Sequence, residues 1–358
     1  MLLHNGCWSE CESTLLKGRP RQIIRGNFKI MEEKNHFMHG VAYGKLYLAG
    51  EYAILEDYAS ALITSVPKKI TVFVENSNET TIFDTINKTS VGLHEENSNF
   101  TLVQKFILFL TEYTSCNKTF SLTIYNELHN DDKKYGLGSS GAVLVAIARA
   151  ILSFENVSYN DLTIFKLVAL FNIKHNLSGS MGDVAASIND GITYYEKFNA
   201  EFVNNMIRQD KSVKEIINTD WDGLRIEKVY PKADLSILAR WTGEAVDTKE
   251  HVKLWKKHKD NYKEEFRVFV ETSNTLVKTL KENLEETDAT SALNTIRKLR
   301  ENLLYLESFS KIPMETKTMK NYIENHSAGK QSGSGSGDIV LGFEKNNDKY
   351  QLQLNLEK

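Results

Sequence analysis

Tyr135-Gly136-Leu137-Gly138-Ser139-Ser140-Gly141-Ala142 runs straight into the apolar stretch Val143-Leu144-Val145-Ala146-Ile147. Two glycines and two serines at the mouth of a helix suit an anion, because the first helical amides are unpaired and the helix dipole concentrates positive potential there. Glycine lets the backbone approach a phosphate closely, and the serines offer hydroxyls for a cap, a phosphate oxygen or a metal. The same letters also suit a plain capped helix, and the stretch alone does not choose. Its neighbours matter: Phe120 to Leu128 alternates like a strand and residues 143 to 154 continue as a helix, the strand-loop-helix order that a phosphate cradle needs.

Upstream, Gly40 to Gly50 is rich in β-formers, with Lys45 set inside an apolar strand. A lysine there meets either an anion or, on an edge strand, solvent. Residues 61 to 66 and 70 to 75 read as further strands and 99 to 113 as an amphipathic helix. A helix over 161 to 175, capped from Asn160 or Ser158, leads to Ser178-Gly179-Ser180-Met181-Gly182-Asp183-Val184. Asp183 there is either a helix cap or a carboxylate aimed into a cleft. Past residue 200 the chain turns charged and loop-like, which sets an expected boundary between domains 38–200 and 201–358. Residues 234 to 240 read as a strand. Residues 262 to 310 read as two long helices whose leucine stripes are packing core. His251 and His258 stand seven apart, about 10 Å of helical rise, too far to share one ion, and are expected on the surface. Lys330 to Asp338 is a Gly/Ser tract between a helix at 315 to 326 and an apolar strand from Ile339; beyond Phe343 only Glu344 to Lys358 remain, alternating like one more strand.

Composition narrows the classes. The 358 residues are 41% apolar and 25% charged, with a formal net charge of -3, so neither a nucleic acid nor an anionic membrane is expected as a partner. Three cysteines, Cys7, Cys11 and Cys116, make neither a disulfide framework nor a metal site. No apolar run approaches the roughly 20 residues of a membrane span, and a cytoplasmic protein is expected. Residues 1–37 are polar and read as a disordered leader or an over-long start. No GxxxxGK[ST] occurs, and the helix-then-strand order around the last glycine tract reverses a dinucleotide fingerprint.

Taken together, Gly44-Lys45-Leu46-Tyr47-Leu48-Ala49-Gly50-Glu51-Tyr52, Gly136 to Ala142 and Lys330 to Asp338 resemble, in order and spacing, the signature of the GHMP small-molecule kinases. The strings YGLGSSGAVLV, SMGDVAAS and ARWTG extend the likeness to members that act on 5-phosphomevalonate. The resemblance covers about Gly40 to Phe343. It implies an α+β, two-domain fold: an N-terminal ATP-binding domain like ribosomal protein S5, a ferredoxin-like C-terminal domain, and the active site between them. The implied reaction moves the γ-phosphoryl group of ATP, with Mg2+, onto 5-phosphomevalonate to give 5-diphosphomevalonate and ADP, by a monomer or homodimer.

Carried over by position, the resemblance makes Lys45 and Asp183 the catalytic pair. Gly136, Leu137, Gly138, Ser139, Ser140, Gly141 and Ala142 would wrap the ATP phosphates, with Ser140 on the metal. The acceptor would meet Lys45, Glu51, Tyr52, Ser139, Ser180, Asp183, Gly333, Ser334 and Gly335. Two departures stand out: Ile339 replaces a frequent cysteine, and Asn172 stands where many relatives keep a metal-binding glutamate. An acceptor phosphate is already ionised at neutral pH, with a second pKa of about 6, so Asp183 is expected to orient Lys45 and the metal more than to act as base. The rival readings are a mevalonate or homoserine kinase of the same fold, and a non-catalytic ATP-binding relative.

Overall fold

The apolar alternation after residue 38 becomes strand β1 (Met38–Ala49), which runs antiparallel along β2 (Ser60–Asn76). The two runs expected at 61 to 66 and 70 to 75 are one strand, whose pairing with β1 shifts register between Tyr43 and Lys45 beside Pro67. The first half of β2 pairs with β8 (Ile192–Glu196) and the second half with β5 (Phe120–Asn126). With β3 (Thr81–Asp84), β4 (Thr89–Gly92) and β9 (Arg225–Val229) this makes a seven-stranded sheet ordered β4-β3-β5-β2-β8-β9, with β1 on β2. A two-residue pair, β6 (His129–Asn130) and β7 (Lys133–Lys134), precedes the glycine stretch. The computed structural model describes residues 38–357 apart from 116–117, 131–132, 178, 245–247 and 347–349; the leader expected over 1–37 and all three cysteines lie outside the described residues.

Helices cover one face of this sheet: α1 (Thr101–Thr114), α2 (Ser139–Phe154), α3 (Asp161–Lys174) and the short α4 (Gly182–Ser187). Asn160 caps α3 by accepting from the Thr163 amide. The core contact is made by Leu144, Val145, Ile147 and Ile151 of α2, all at most 2% exposed. Arg149 of α2 ties the packing from behind: it donates to the carbonyls of Val41 on β1 (2.6 Å) and Ile188 at the end of α4 (2.7 Å), and meets Asp161 of α3.

Past residue 200 the chain is more ordered than its charge suggests. Helices α5 (Ala200–Arg208) and α6 (Val213–Asn218), each capped by its preceding Asn199 or Ser212, bury only two side chains apiece, and β9 then rejoins the first sheet. The second sheet, β11-β12-β10-β13, combines β10 (Leu235–Trp241), β11 (Ala328–Ser332), β12 (Ile339–Lys345) and β13 (Gln351–Asn355). Helix α7 (Thr248–Lys259) leads into the paired α8 (Lys263–Glu285) and α9 (Ala289–Ser310), and α10 (Lys317–Glu324) closes the layer. Among the described residues no helix is long and apolar enough to cross a membrane.

Candidate active site

The free edge of β1 does not end in solvent at Lys45. Its amide donates to the Leu137 carbonyl (2.9 Å), and its ammonium donates to the Gly136 carbonyl (2.9 Å) while lying 5.3 Å from the Tyr47 ring centre. The glycine stretch is thus folded back onto the strand that carries the lysine. Gly138, at φ 77°, starts α2, and a Cβ there would meet the Lys45 Cγ at 2.9 Å and the Asp183 Cβ at 3.3 Å. At Gly141 a Cβ would fall 2.5 Å from Asp183 Oδ2. Those two glycines have no side chain because the lysine and the aspartate occupy that volume.

Asp183 stands in the first turn of α4, accepting from the Val184 amide at 3.0 Å. Burial pushes its carboxyl above the usual range, opposed by the Lys45 charge and by backbone amides, including that of Gly141. Burial pulls Lys45 below the usual lysine value, opposed by Asp183, Asp338 and Glu51. Asp338, for which no role was expected, comes from the far end of the last glycine tract to Gly136, where an added Cβ would sit 2.6 Å from its Cγ.

These groups line a cleft of about 430 Å³. Gly136 to Ser140 form one wall, with Ser140 exposed and Ser139 Oγ 2.8 Å from His129 Nε2; Gly141 and Ala142 lie behind that wall, against Asp183 and the core respectively. Ser180 is brought in by Tyr47, whose hydroxyl is 2.9 Å from Ser180 Oγ, and Tyr47 N donates to Ser332 Oγ at 2.8 Å. Gly333 and Ser334 line the cleft, whereas Gly335 is buried against the Met314 carbonyl. Tyr52 and Ser334 touch each other: the Tyr52 hydroxyl donates to the Ser334 carbonyl at 2.5 Å. Glu51 is 3% exposed and ion-paired with the fully buried Lys330. Asn172 is turned to the Met181 sulfur, 3.2 Å away.

One expectation is corrected. His251 is not a surface residue: it is 8% exposed and lines the cleft, because α7 packs His251 and Trp255 from one face against Tyr52. The spacing of four between these residues was the available signal, masked by the lysines around them.

A two-sheet α+β body with a lysine, a carboxylate and a helix-borne glycine loop around one cleft resembles that of the GHMP small-molecule kinases, and residues 101–191 match the GHMP kinases N terminal domain. More narrowly, the chain is similar to phosphomevalonate kinases. It is 27% identical to the phosphomevalonate kinase of Streptomyces sp. (strain CL190), over 84% of this chain and 88% of that protein. Among solved structures, a Lin0012 protein from Listeria innocua superposes with a TM-score of 0.79 at 28% identity, covering 87% of this chain and 91% of that one. The Streptococcus pneumoniae phosphomevalonate kinase in complex with phosphomevalonate and AMPPNP superposes with a TM-score of 0.77 at 27% identity, covering 86% and 92%.

Proposed function

We propose that the chain transfers the γ-phosphoryl group of ATP to 5-phosphomevalonate, giving 5-diphosphomevalonate and ADP. The observation that carries this reading is the convergence of Lys45 and Asp183 at the N-terminus of α2, so close that Gly138 and Gly141 have no room for a side chain. In this reading the first sheet and its helices form the nucleotide side, residues 38–200 with β9 added, and the second sheet with α8 to α10 forms the acceptor side. A cytoplasmic site of action belongs to the same proposal, in keeping with multiply charged, water-borne substrates.

Two phosphorylated molecules must meet in a cleft whose lysine is matched by two carboxylates, Asp183 and Asp338, so the site is short of positive charge. That deficit and the oxygen donors present fit Mg2+. Among the described residues no group of three or more His, Cys, Asp or Glu is placed to hold a metal. Ser140 and Asp183 suit a hard cation that draws its remaining ligands from phosphate oxygens and water. When bound, Mg2+ neutralises charge developing across the β- and γ-phosphate oxygens.

The protein's own part is positional. The amides of Gly138 to Ser140 receive the nucleotide phosphates at the helix N-terminus. Lys45, held by the Gly136 carbonyl, stands where donor and acceptor oxygens approach and offsets their repulsion. Asp183 holds the lysine and needs to remove no proton, since the acceptor phosphate is largely ionised near neutrality, with a second pKa of about 6. Glu51 and Tyr52 support the wall, the first neutralised by Lys330.

A coupled ADP-release assay with 5-phosphomevalonate, mevalonate and homoserine side by side tests the acceptor; turnover confined to mevalonate or homoserine rejects it. Lys45→Met should lower kcat by about 10²–10³, the scale of losing one preorganised charge donor, and Asp183→Asn by less. Equal losses, with a pH profile following an essential carboxylate base, would reject this division of roles.

A further inference from the structure

We propose that His251 and Tyr52 form a latch on the last glycine loop, and that this latch sets the affinity of the site for its phosphorylated acceptor. The idea rests on the function proposed above for the identity of that acceptor and for its contact with the last glycine loop.

The Ser334 carbonyl can only accept hydrogen bonds. His251 Nδ1 lies 2.9 Å from it, so Nδ1 carries the proton, and the Tyr52 hydroxyl donates to the same oxygen at 2.5 Å. The two donors are themselves 3.1 Å apart. One carbonyl thus uses both lone pairs on groups from two separate elements, the turn after β1 and helix α7. Tyr52 reaches it from a backbone at φ 61° and ψ -50°, uncommon for a bulky residue. Stacking of its ring on Trp255, centroids 5.8 Å apart, holds it there, and Trp255 follows His251 by one helical turn.

The loop needs such a hold. Gly333, Gly335, Ser336, Gly337 and Asp338 all have positive φ, and the space beside Gly333 is open for 4 Å. Three glycines among these five residues leave many competing conformations of similar energy. The ends are fastened: Ser332 Oγ accepts from the Tyr47 amide (2.8 Å), while Ser336 donates to the carbonyls of Met314 and Pro313 (2.8 Å each). Between those points the Ser334 carbonyl is where Tyr52 and His251 hold the chain. Neither side chain is needed to neutralise phosphate, which Lys45 does, and burying an imidazole costs free energy unless its polar atoms are satisfied. His251 is accordingly a positioning residue. The nucleotide wall, Gly136 to Ser140, is anchored on β1 through Lys45 and meets the last glycine loop at Asp338, four residues beyond Ser334, so the latch should act on the acceptor more than on ATP.

Steady-state kinetics of His251→Ala, His251→Asn, Tyr52→Phe and the double variant His251→Ala/Tyr52→Phe test this. Losing one such hydrogen bond should raise KM for phosphomevalonate roughly three- to tenfold, with KM for ATP and the Tm little changed. His251→Asn, whose amide can donate from the Nδ1 position, should recover most of the loss, and the double variant should fall short of the product of the single effects because both act on one oxygen. Amide hydrogen exchange over residues 333–337 should quicken by a similar factor in His251→Ala and Tyr52→Phe, with or without turnover. Equal changes in both KM values, an Asn variant as poor as Ala, or unchanged exchange would overturn the latch. If the wild-type protein turns over a different acceptor, the proposed function falls while the same KM ratios, read on that acceptor, still decide the latch. Should His251→Ala fail to fold, His251→Asn and Tyr52→Phe decide it.

Discussion

Replacing Lys330 by methionine isolates a single electrostatic question. Its ammonium is 0% exposed, bonds Glu51 and also donates to the Gln331 carbonyl at 2.7 Å, 279 residues away in sequence from its carboxylate partner. Methionine fills a similar volume, so the change chiefly leaves the Glu51 carboxylate buried and uncompensated. Breaking a buried pair from one side costs about 3–5 kcal/mol. For the Met38–Lys358 body, an unfolding entropy of about 2.1 cal/mol/K per residue amounts to about 0.7 kcal/mol/K, so Tm should fall by about 4–7 °C. Adding Glu51→Gln removes the stranded charge, and the double variant should recover most of that loss, since exchanging a whole buried pair for neutral groups is often nearly neutral. Activity adds a second readout: with Glu51 no longer cancelled, an unpaired negative charge borders the cleft, and KM for an anionic acceptor should rise in Lys330→Met and recover in the double variant. Thermal unfolding and steady-state kinetics on the wild type, Lys330→Met, Glu51→Gln and the double variant suffice. A Tm change below about 1 °C in Lys330→Met, or strictly additive single changes, would refute the reasoning.

Lys45 must be charged to act, and burial places its titration below the ordinary 10.5, so kcat/KM should fall as pH rises through that lowered value. Lys45→Arg should shift or abolish that alkaline limb, and in the wild type the limb of kcat should lie higher, because bound phosphates favour the ammonium. Gly141→Ala puts a Cβ 2.5 Å from Asp183 Oδ2, and a displacement of that size should cut kcat about a hundredfold. Lys166→Met, outside the cleft, removes the donor to the Ile217 and Thr219 carbonyls at the end of α6; thermal unfolding should report a loss of about 1–3 kcal/mol with kcat retained.

What could be read from the chain was whatever is written in short range. The glycines and serines of 136–142, the small residues flanking Asp183 and the alternation around Lys45 each encode a local conformation, and the fold brings them to one cleft. Long-range partnerships leave no such trace. Nothing near Gly136 indicates that Asp338 will crowd it, and nothing near Glu51 names Lys330 as its counter-charge. His251 was hidden for a different reason: α7 is so rich in lysine that its narrow inward face, His251 and Trp255, disappears in the average. Likewise α5 and α6 bury too few side chains to show a periodic signal, and β9 gains its place from pairing with β8 rather than from its own mostly polar sequence.

Arg149 has a consequence of its own. Val41 lies four positions before Lys45 on β1, and Ile188 five positions after Asp183, so the guanidinium that clasps both carbonyls limits how far apart the ammonium and the carboxylate can drift. A lysine there would have one compact head in place of a rigid fork and could not clamp both in one plane. The spacing at which phosphate meets phosphate is in this sense gauged by a side chain of α2 outside the lining of the cleft.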